Sequence, residues 1–367
     1  VPDHGFSAVA RGSCPGFSPG ILSSIFQLAG VARHGAIIVK SLDYYWYNKG
    51  LVSLLLLPLS WLFCLVAIVR RALYQWGLLK VYRLPVPVVI VGNISVGGTG
   101  KTPFVTWLIE LLRAQGYTPG IVSRGYGGAA THWPQQVRSD SDPRMVGDEA
   151  ILLSRRCRCP MAVGPARAEA AQALLAHTDC DIIVADDGLQ HYALGRDVEI
   201  AVVDGVRRFG NGHCLPAGPL REPHGRLAAV DMVVTNGVAG PREYHMELVP
   251  AMLRNLADAS RTCSLDAFVG KTVHAVAGIG NPQRFFRQLT AHGIEVKEHA
   301  FADHYPFSRE DVSFDDELPV LMTEKDAVKC QSFASTRHWC VPVDARVDER
   351  IEPLILRLIK KREQENG

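Results

Sequence analysis

The chain has 367 residues, 47% of them hydrophobic and 21% charged, with a formal net charge of +2; this predicts two compact units, or one with large additions, and excludes a largely disordered chain. So small a charge, with no long run of one sign, excludes a nucleic-acid-coating protein, and no nucleic-acid partner is expected. Nine cysteines without paired C-x-x-C spacing exclude a zinc ribbon and read as thiols in a reducing compartment.

Val1 to Lys40 is rich in Gly, Ser and Ala, starts without Met and is acid-free from Gly5 onward, a faintly transit-peptide-like composition to which no role is assigned. Residues 41–84 read as a membrane-associated helical anchor. Leu51 to Val69, LVSLLLLPLSWLFCLVAIV, is nineteen residues without a charge, the length that crosses a bilayer core. Tyr44 to Tyr47 precede it, Tyr74 and Trp76 follow, and Arg70, Arg71, Lys80 and Arg83 lie downstream, the aromatic and basic flanks of an interface. The plainer alternative, a buried helix of a soluble core, would show a polar face. Pro58 interrupts the run, so a kinked, half-inserted anchor competes with a true span. The basic flank predicts a catalytic body on the cytoplasmic side.

Beyond Pro85, short apolar runs alternate with amphipathic stretches: Val86–Val91, Phe104–Gln115, Gly120–Ser123, Glu149–Arg156, Ile182–Ala185 and Ile200–Val203. This pattern predicts an α/β fold with a parallel sheet covered by helices, over residues 85–265. A second set, with strands at Val273–Ala277, Val320–Thr323 and Trp339–Val343 and a helix opened by Asn281-Pro282, predicts a smaller α/β lobe over 266–345. Residues 346–367 read as a C-terminal basic helix, whose Lys360, Lys361 and Arg362 suit a solvated helix end or an anionic lipid surface.

The first strand runs into Ser95-Val96-Gly97-Gly98-Thr99-Gly100-Lys101-Thr102, and a helix follows from Pro103. Strand, glycine-rich loop and helix is the context of a phosphate-binding loop: backbone N–H groups close around phosphates, the lysine meets the terminal oxygens, and the hydroxyl reaches Mg²⁺. Ser95 stands where the strict motif has its first glycine. Ile182 to Asp187 is an apolar strand ending in two carboxylates, the form of the acidic partner that holds Mg²⁺ opposite such a loop, with Asp187 the metal-side candidate. Gln190 and His191 follow at once, near enough to line the same cleft. On their own, Asp148 and Glu149 read as a helix cap and a favourable first-turn charge, Ser123 to Gly128 as a loop after a strand, and Pro219 to Glu222 as a surface turn.

In combination, SVGGTGKTP, SRGYGG, VGDEA, ADDGLQH, GPLRE and TEKDAVK resemble the tetraacyldisaccharide 4'-kinase family of lipid A biosynthesis, from about Asp43 to the end of the second lobe. The resemblance implies a P-loop kinase that moves the γ-phosphoryl of ATP to the 4'-hydroxyl of a tetraacylated disaccharide 1-phosphate, with ATP and Mg²⁺ as cofactors. It further implies Asp148 as the base with His304 as its partner from the second lobe, Lys101 against the developing charge, and Thr102, Glu149 and Asp187 on the metal side. Arg124, Tyr126, Asp186, Gln190, His191 and Arg221 become candidates for holding phosphates or the disaccharide. The partners implied are the acylated lipid and a membrane surface, with no obligate protein partner, at the inner membrane of a Gram-negative-type cell. Rival readings are a regulatory or transport NTPase and a non-catalytic lipid-binding protein. Thr323-Glu324-Lys325-Asp326 does not match the N-K-x-D of a guanine-specific GTPase, and a lipid binder has no need of a Lys-Thr pair aligned with the Asp187 strand.

Overall fold

The structure, a computed structural model, describes residues 42–48 and 50–366; the expectations for residues 1–40 lie outside them. Three helices open it: α1 (Leu42–Tyr47), α2 (Leu51–Leu55) and α3 (Leu57–Gln75). The run expected to form one anchor helix over Leu51–Val69 is broken at Leu56. Pro58 cannot continue a helix through its missing N–H, but it suits a first turn, so a new helix starts there and runs past Arg70 and Arg71. Among the described residues, α3 is the one helix long and apolar enough to cross a membrane.

The packing of α3 is inverted relative to a soluble helix. Its buried polar residue is Ser60, whose hydroxyl donates to the Cys214 carbonyl at 2.7 Å, while Trp61, Leu62, Leu65, Val66 and Val69 are exposed. Phe63 and Cys64 lie against the core of the body. The preceding helices are tied down by Trp46, whose Nε1 donates to the Pro216 carbonyl at 2.9 Å, and by Ser53, which donates to the Tyr45 carbonyl.

The larger sheet takes its first eight strands in chain order: β1 (Val88–Gly92), β2 (Pro119–Ser123), β3 (Gln135–Gln136), β4 (Met161–Val163), β5 (Ile182–Asp186), β6 (Val198–Asp204), β7 (Met232–Asn236) and β8 (Tyr244–Pro250). The smaller sheet takes β9 (Leu253–Asn255), β10 (Thr262–Cys263), β11 (Thr272–Ala277), β12 (Glu295–Ala300), β13 (Val320–Thr323) and β14 (His338–Val341), after which β15 (Val343–Val347) returns to the larger one. Their spatial orders are β15-β8-β7-β6-β1-β5-β2-β4-β3 and β10-β9-β14-β13-β11-β12. Pairing is parallel from β8 across to β4 and from β14 across to β12, with antiparallel strands at the edges. The smaller sheet therefore begins upstream of Asp266, and residues 343–347 sit with the larger sheet, where the sequence pattern put 343–345 in the smaller lobe and 346–347 in the C-terminal helix. The strands that move the boundary are short or alternating edge strands, which lack the continuous apolar run of a buried parallel strand.

Helices α4 (Lys101–Ala114), α5 (Pro143–Val146), α6 (Asp148–Cys157) and α7 (Arg167–Ala176) follow the strands of the larger sheet. Helices α8 (Pro282–Ala291) and α9 (Glu324–Cys330) belong to the smaller one, and α10 (Ile351–Asn366) ends the chain. Phe104, Leu108 and Leu112 of α4, Ile151 of α6, and Ile355 and Ile359 of α10 share one core on one face of the larger sheet; α7 and the near side of α3 cover the other. The i, i+4 spacing of Ile351, Ile355 and Ile359 makes the final helix a core element as well as a basic tail. In β1 and β5 every residue is buried, and the register pairs Val91 with Asp186. Both strands thus end at the sheet centre, where open α/β sheets bind ligands.

Candidate active site

The loop after β1 leads directly into α4, whose first residue is Lys101. Gly100 has φ 96°, and a Cβ there would meet the Asn236 amide at 2.9 Å, so both backbone conformation and space demand glycine. Ser95, at the position of the missing glycine, is buried and paired with Leu220. The Val96 N–H donates to the Pro219 carbonyl at 2.8 Å and the Arg221 N–H to the Ile94 carbonyl at 2.7 Å. Pro219 to Glu222, read from sequence as a surface turn, is therefore a buried brace of the phosphate loop, with Leu220 and Glu222 both buried. The Asn236 amide, itself held by Arg284 of α8, donates to the Thr99 carbonyl.

That brace aims Arg221 at Asp187. One guanidinium nitrogen donates to both carboxylate oxygens, at 2.9 and 2.8 Å, and Lys101 Nζ lies 3.5 Å from the same group. Crowding by protein atoms works against the charge of Asp187, but Lys101 and then Arg221 outweigh it and hold the carboxyl far below the usual range. Asp187 sits at φ 51°, which turns the chain sharply after β5. Asp186 has the opposite fate: burial pushes its pKa up to about 7, against the pull of Lys101. Its Oδ2 accepts from Ser123 at 3.2 Å, and its Oδ1 is buried without a hydrogen-bond partner.

Around this pair stand Arg167, fully buried with an unpartnered Nε, and His191. Burial draws the Arg167 guanidinium down to about 10, and burial followed by Arg167 and Arg124 draws His191 down to about 3, so the imidazole is neutral at physiological pH. Gln190 donates to the Asn93 carbonyl and to Glu222, while its own carbonyl accepts from Arg70 at the end of α3. Helix α3 thus touches the loop that follows the two aspartates.

The second lobe completes the arrangement. His304, at φ 61°, brings Nδ1 within 3.1 Å of Asp148 Oδ2, joining residues 156 positions apart. Burial raises the Asp148 pKa, but the hydrogen bond to His304 and the charge of Lys325 bring it below the ordinary value. Burial likewise disfavours imidazolium at His304, yet its bond to Asp148 leaves the pKa raised. Asp148 is not the helix cap: Gly147 holds that position, at φ 93°, where a Cβ would lie 2.4 Å from the Tyr126 carbonyl. The SRGYGG loop therefore packs backbone to backbone on the start of α6, which sets the Tyr126 ring 5.1 Å from His304 and leaves Arg124 exposed.

The structure therefore gathers Lys101, Glu149, Asp186, Asp187, Arg221, Asp148 and His304 at one end of the larger sheet. Asp186, expected on the substrate side, is buried beneath the loop, and the Gln190 amide is engaged internally. Val96, Gly97, Gly98 and Thr102 lie on the loop and the first turn of α4, where a phosphate would meet them. The sequence reading assigned no role to Lys325, whose Nζ reaches Glu149, Asp303 and His304, or to Lys329, 3.8 Å from Asp148. Both lie in TEKDAVK, where Thr323 caps α9 by accepting from the Asp326 N–H, a T-x-x-D signature that was available from sequence. Arg167 carried no such signal.

The profile of the family described as Tetraacyldisaccharide-1-P 4'-kinase matches residues 52–360. The chain is 53% identical over 317 residues to the tetraacyldisaccharide 4'-kinase of Nitrosococcus oceani, covering 86% of this chain and 94% of that protein. It is 48% identical over 316 residues to the enzyme of the same name from Coxiella burnetii, with the same coverage. Its fold is similar to the crystal structure of Aquifex aeolicus LpxK in complex with ATP, with a TM-score of 0.72 and 29% identity over 84% of this chain and 100% of that one. With these matches spanning both sheets and every motif of the site, the chain belongs to the tetraacyldisaccharide 4'-kinase family.

Proposed function

We propose that this chain catalyses transfer of the γ-phosphoryl group of ATP to the 4'-hydroxyl of tetraacyldisaccharide 1-phosphate, forming lipid IV-A and ADP in lipid A biosynthesis. The observation that best supports the reading is the contact between Asp148 of the phosphate-loop lobe and His304 of the other, beside the Lys101–Asp187–Arg221 group.

In this reading the loop from Ser95 to Thr102 wraps the ATP phosphates, and Lys101 faces the charge that builds on the transferring group. The 4'-oxygen attacks the γ-phosphorus as the bond to the β–γ bridging oxygen breaks, and the hydroxyl proton passes to Asp148, which His304 orients. Arg124, Tyr126, His191 and Arg221 hold the phosphates or the disaccharide. Mg²⁺ is a further part of the proposal. Among the described residues no three His, Cys, Asp or Glu side chains form a metal cage, which fits an ion that takes one or two carboxylates plus substrate phosphates. The unpartnered Oδ1 of Asp186 is a hard oxygen beside Asp187, so one or two carboxylates from Asp186, Asp187 and Glu149, with the Thr102 hydroxyl, would suit the ion. When bound, Mg²⁺ neutralises charge on the β and γ oxygens.

The exposed apolar face of α3 supports seating at a membrane, with the helix lying at the interface and the two lobes in water, and the basic flank Arg70, Arg71, Lys80 and Arg83 supports the cytoplasmic side of the inner membrane. The test is transfer of label from γ-labelled ATP to tetraacyldisaccharide 1-phosphate in detergent, with Lys101→Ala and Asp148→Ala. Labelled lipid from the parent and none from either variant is the expected result. ATP hydrolysis without acceptor and without labelled lipid would favour a membrane NTPase.

A further inference from the structure

We propose that Lys325 is a positioning residue for this reaction: its ammonium fixes His304 as the Nδ1–H tautomer and so keeps that N–H on Asp148. The ammonium of Lys325, at the start of α9, lies 3.1 Å from Glu149 Oε1, 3.1 Å from Asp303 Oδ1 and 3.2 Å from His304 Nε2. Its three N–H bonds thus have three acceptors, and an ammonium can accept nothing in return. Nε2 must therefore offer its lone pair, the ring hydrogen resides on Nδ1, and Nδ1 donates to Asp148 Oδ2 at 3.1 Å.

The choice of tautomer matters because it decides the orientation of the carboxylate. Asp148 Oδ1 accepts the Glu149 N–H at 2.9 Å, and Oδ2 takes the ring N–H, which clamps both oxygens in place. In the other tautomer a lone pair on Nδ1 would face lone pairs on Oδ2, and the two would repel. An imidazolium, toward which Asp148 pulls the ring, would set its Nε2–H against the ammonium of Lys325, which opposes that second proton. The groups facing the ring are Asp148 from α6, Lys325 from α9, the neighbouring Asp303 with an oxygen 3.9 Å from Nε2, and the Tyr126 ring. Lys325 is the one positive group among them, and it stands where the second ring proton would go. A proton taken from the sugar hydroxyl accordingly rests on Asp148, and the ring orients that carboxylate without relaying the proton onward.

The inference rests on Asp148 and His304 being the proton-transfer pair, but its main readout does not. Full-length protein in detergent, labelled with ¹⁵N-histidine, reports the tautomer of each ring by NMR, and His304→Asn identifies the signal. Parent and Lys325→Arg should show the neutral Nδ1–H pattern at His304, whereas Lys325→Met, with Asp148 still facing Nδ1 and nothing positive facing Nε2, should show the imidazolium with both ring nitrogens protonated. In Lys325→Met, kcat should fall about tenfold to hundredfold, and Lys325→Arg should recover most of it. An ATP KM within about twofold of the parent shows that the variant is folded and binds nucleotide. An unchanged Nδ1–H pattern in folded Lys325→Met, or an undiminished kcat, overturns the proposal. If the parent transfers no phosphoryl group, the kinase reading fails while the tautomer result still stands or falls by itself.

Discussion

One guanidinium nitrogen of Arg221 spans both oxygens of Asp187, from a loop 34 residues further along the chain. The backbone that delivers it is the strip that also pairs with the phosphate loop, so the brace and the charge partner are one segment. Arg221→Met should leave the loop paired through Pro219 but free the Asp187 carboxylate. Phosphoryl transfer from labelled ATP is expected to fall about tenfold to hundredfold, and Asp187→Asn should cost about a thousandfold.

Asp186 makes stability depend on pH. Its folded pKa is raised to about 7 from 3.8. A group raised in the folded state favours folding fully below the unfolded value, and that contribution is lost as pH climbs through the folded value. The cost of the buried carboxylate therefore grows between about pH 4 and 7 and is complete above it. Asp186→Asn should melt at a higher temperature than the parent at pH 8, with the gap closing toward pH 4 in thermal denaturation without nucleotide. Adding Mg²⁺ with ATP should raise the melting temperature of the parent more than that of the variant.

Asp148 and His304 should behave as a unit in kinetics. Asp148→Asn and His304→Asn are each expected to lower kcat by about 10² to 10⁴ while sparing the ATP KM. If the pair serves one proton transfer, as proposed, the double variant should be little worse than Asp148→Asn. Multiplying losses in steady-state assays would mean that the two act independently.

The outer face of α3 can be tested apart from chemistry. Replacing Trp61, Leu62 and Leu65 with Ser removes exposed apolar surface that supports nothing inside the body. Sedimentation with anionic vesicles should show binding weakened by at least about tenfold. Activity in detergent should persist, since the contact of Arg70 with Gln190 is untouched.

The central parallel strands were legible because they are apolar throughout: Val320–Thr323 emerges with the expected bounds, and β1, β5 and β11 shift by a residue or two. The strands β8, β12 and β15 were not, since their half-exposed, alternating residues such as Glu295-Val296-Lys297-Glu298 resemble any polar stretch. The phosphate loop was readable from local order because its chemistry lies within eight residues. Lys325 and Arg167 were not, because what they do depends on partners far away in the chain. The brace at Pro219 to Glu222 escaped for the same reason: nothing local distinguishes a turn in water from one pressed against another loop.

The larger sheet ends β8 at Pro250 and resumes with β15 at Val343, so everything between is an insertion reached by two short crossings. The crossings run side by side, and the Ala251 N–H donates to the Pro342 carbonyl at 2.9 Å, lashing one to the other. The lobe is tied down again away from the crossings, by Arg284 on Asn236 and by Arg156 on Glu324. His304, Lys325 and Lys329 are thus carried on one inserted unit, whose fixed seat sets all three charges against Asp148 and Glu149 together.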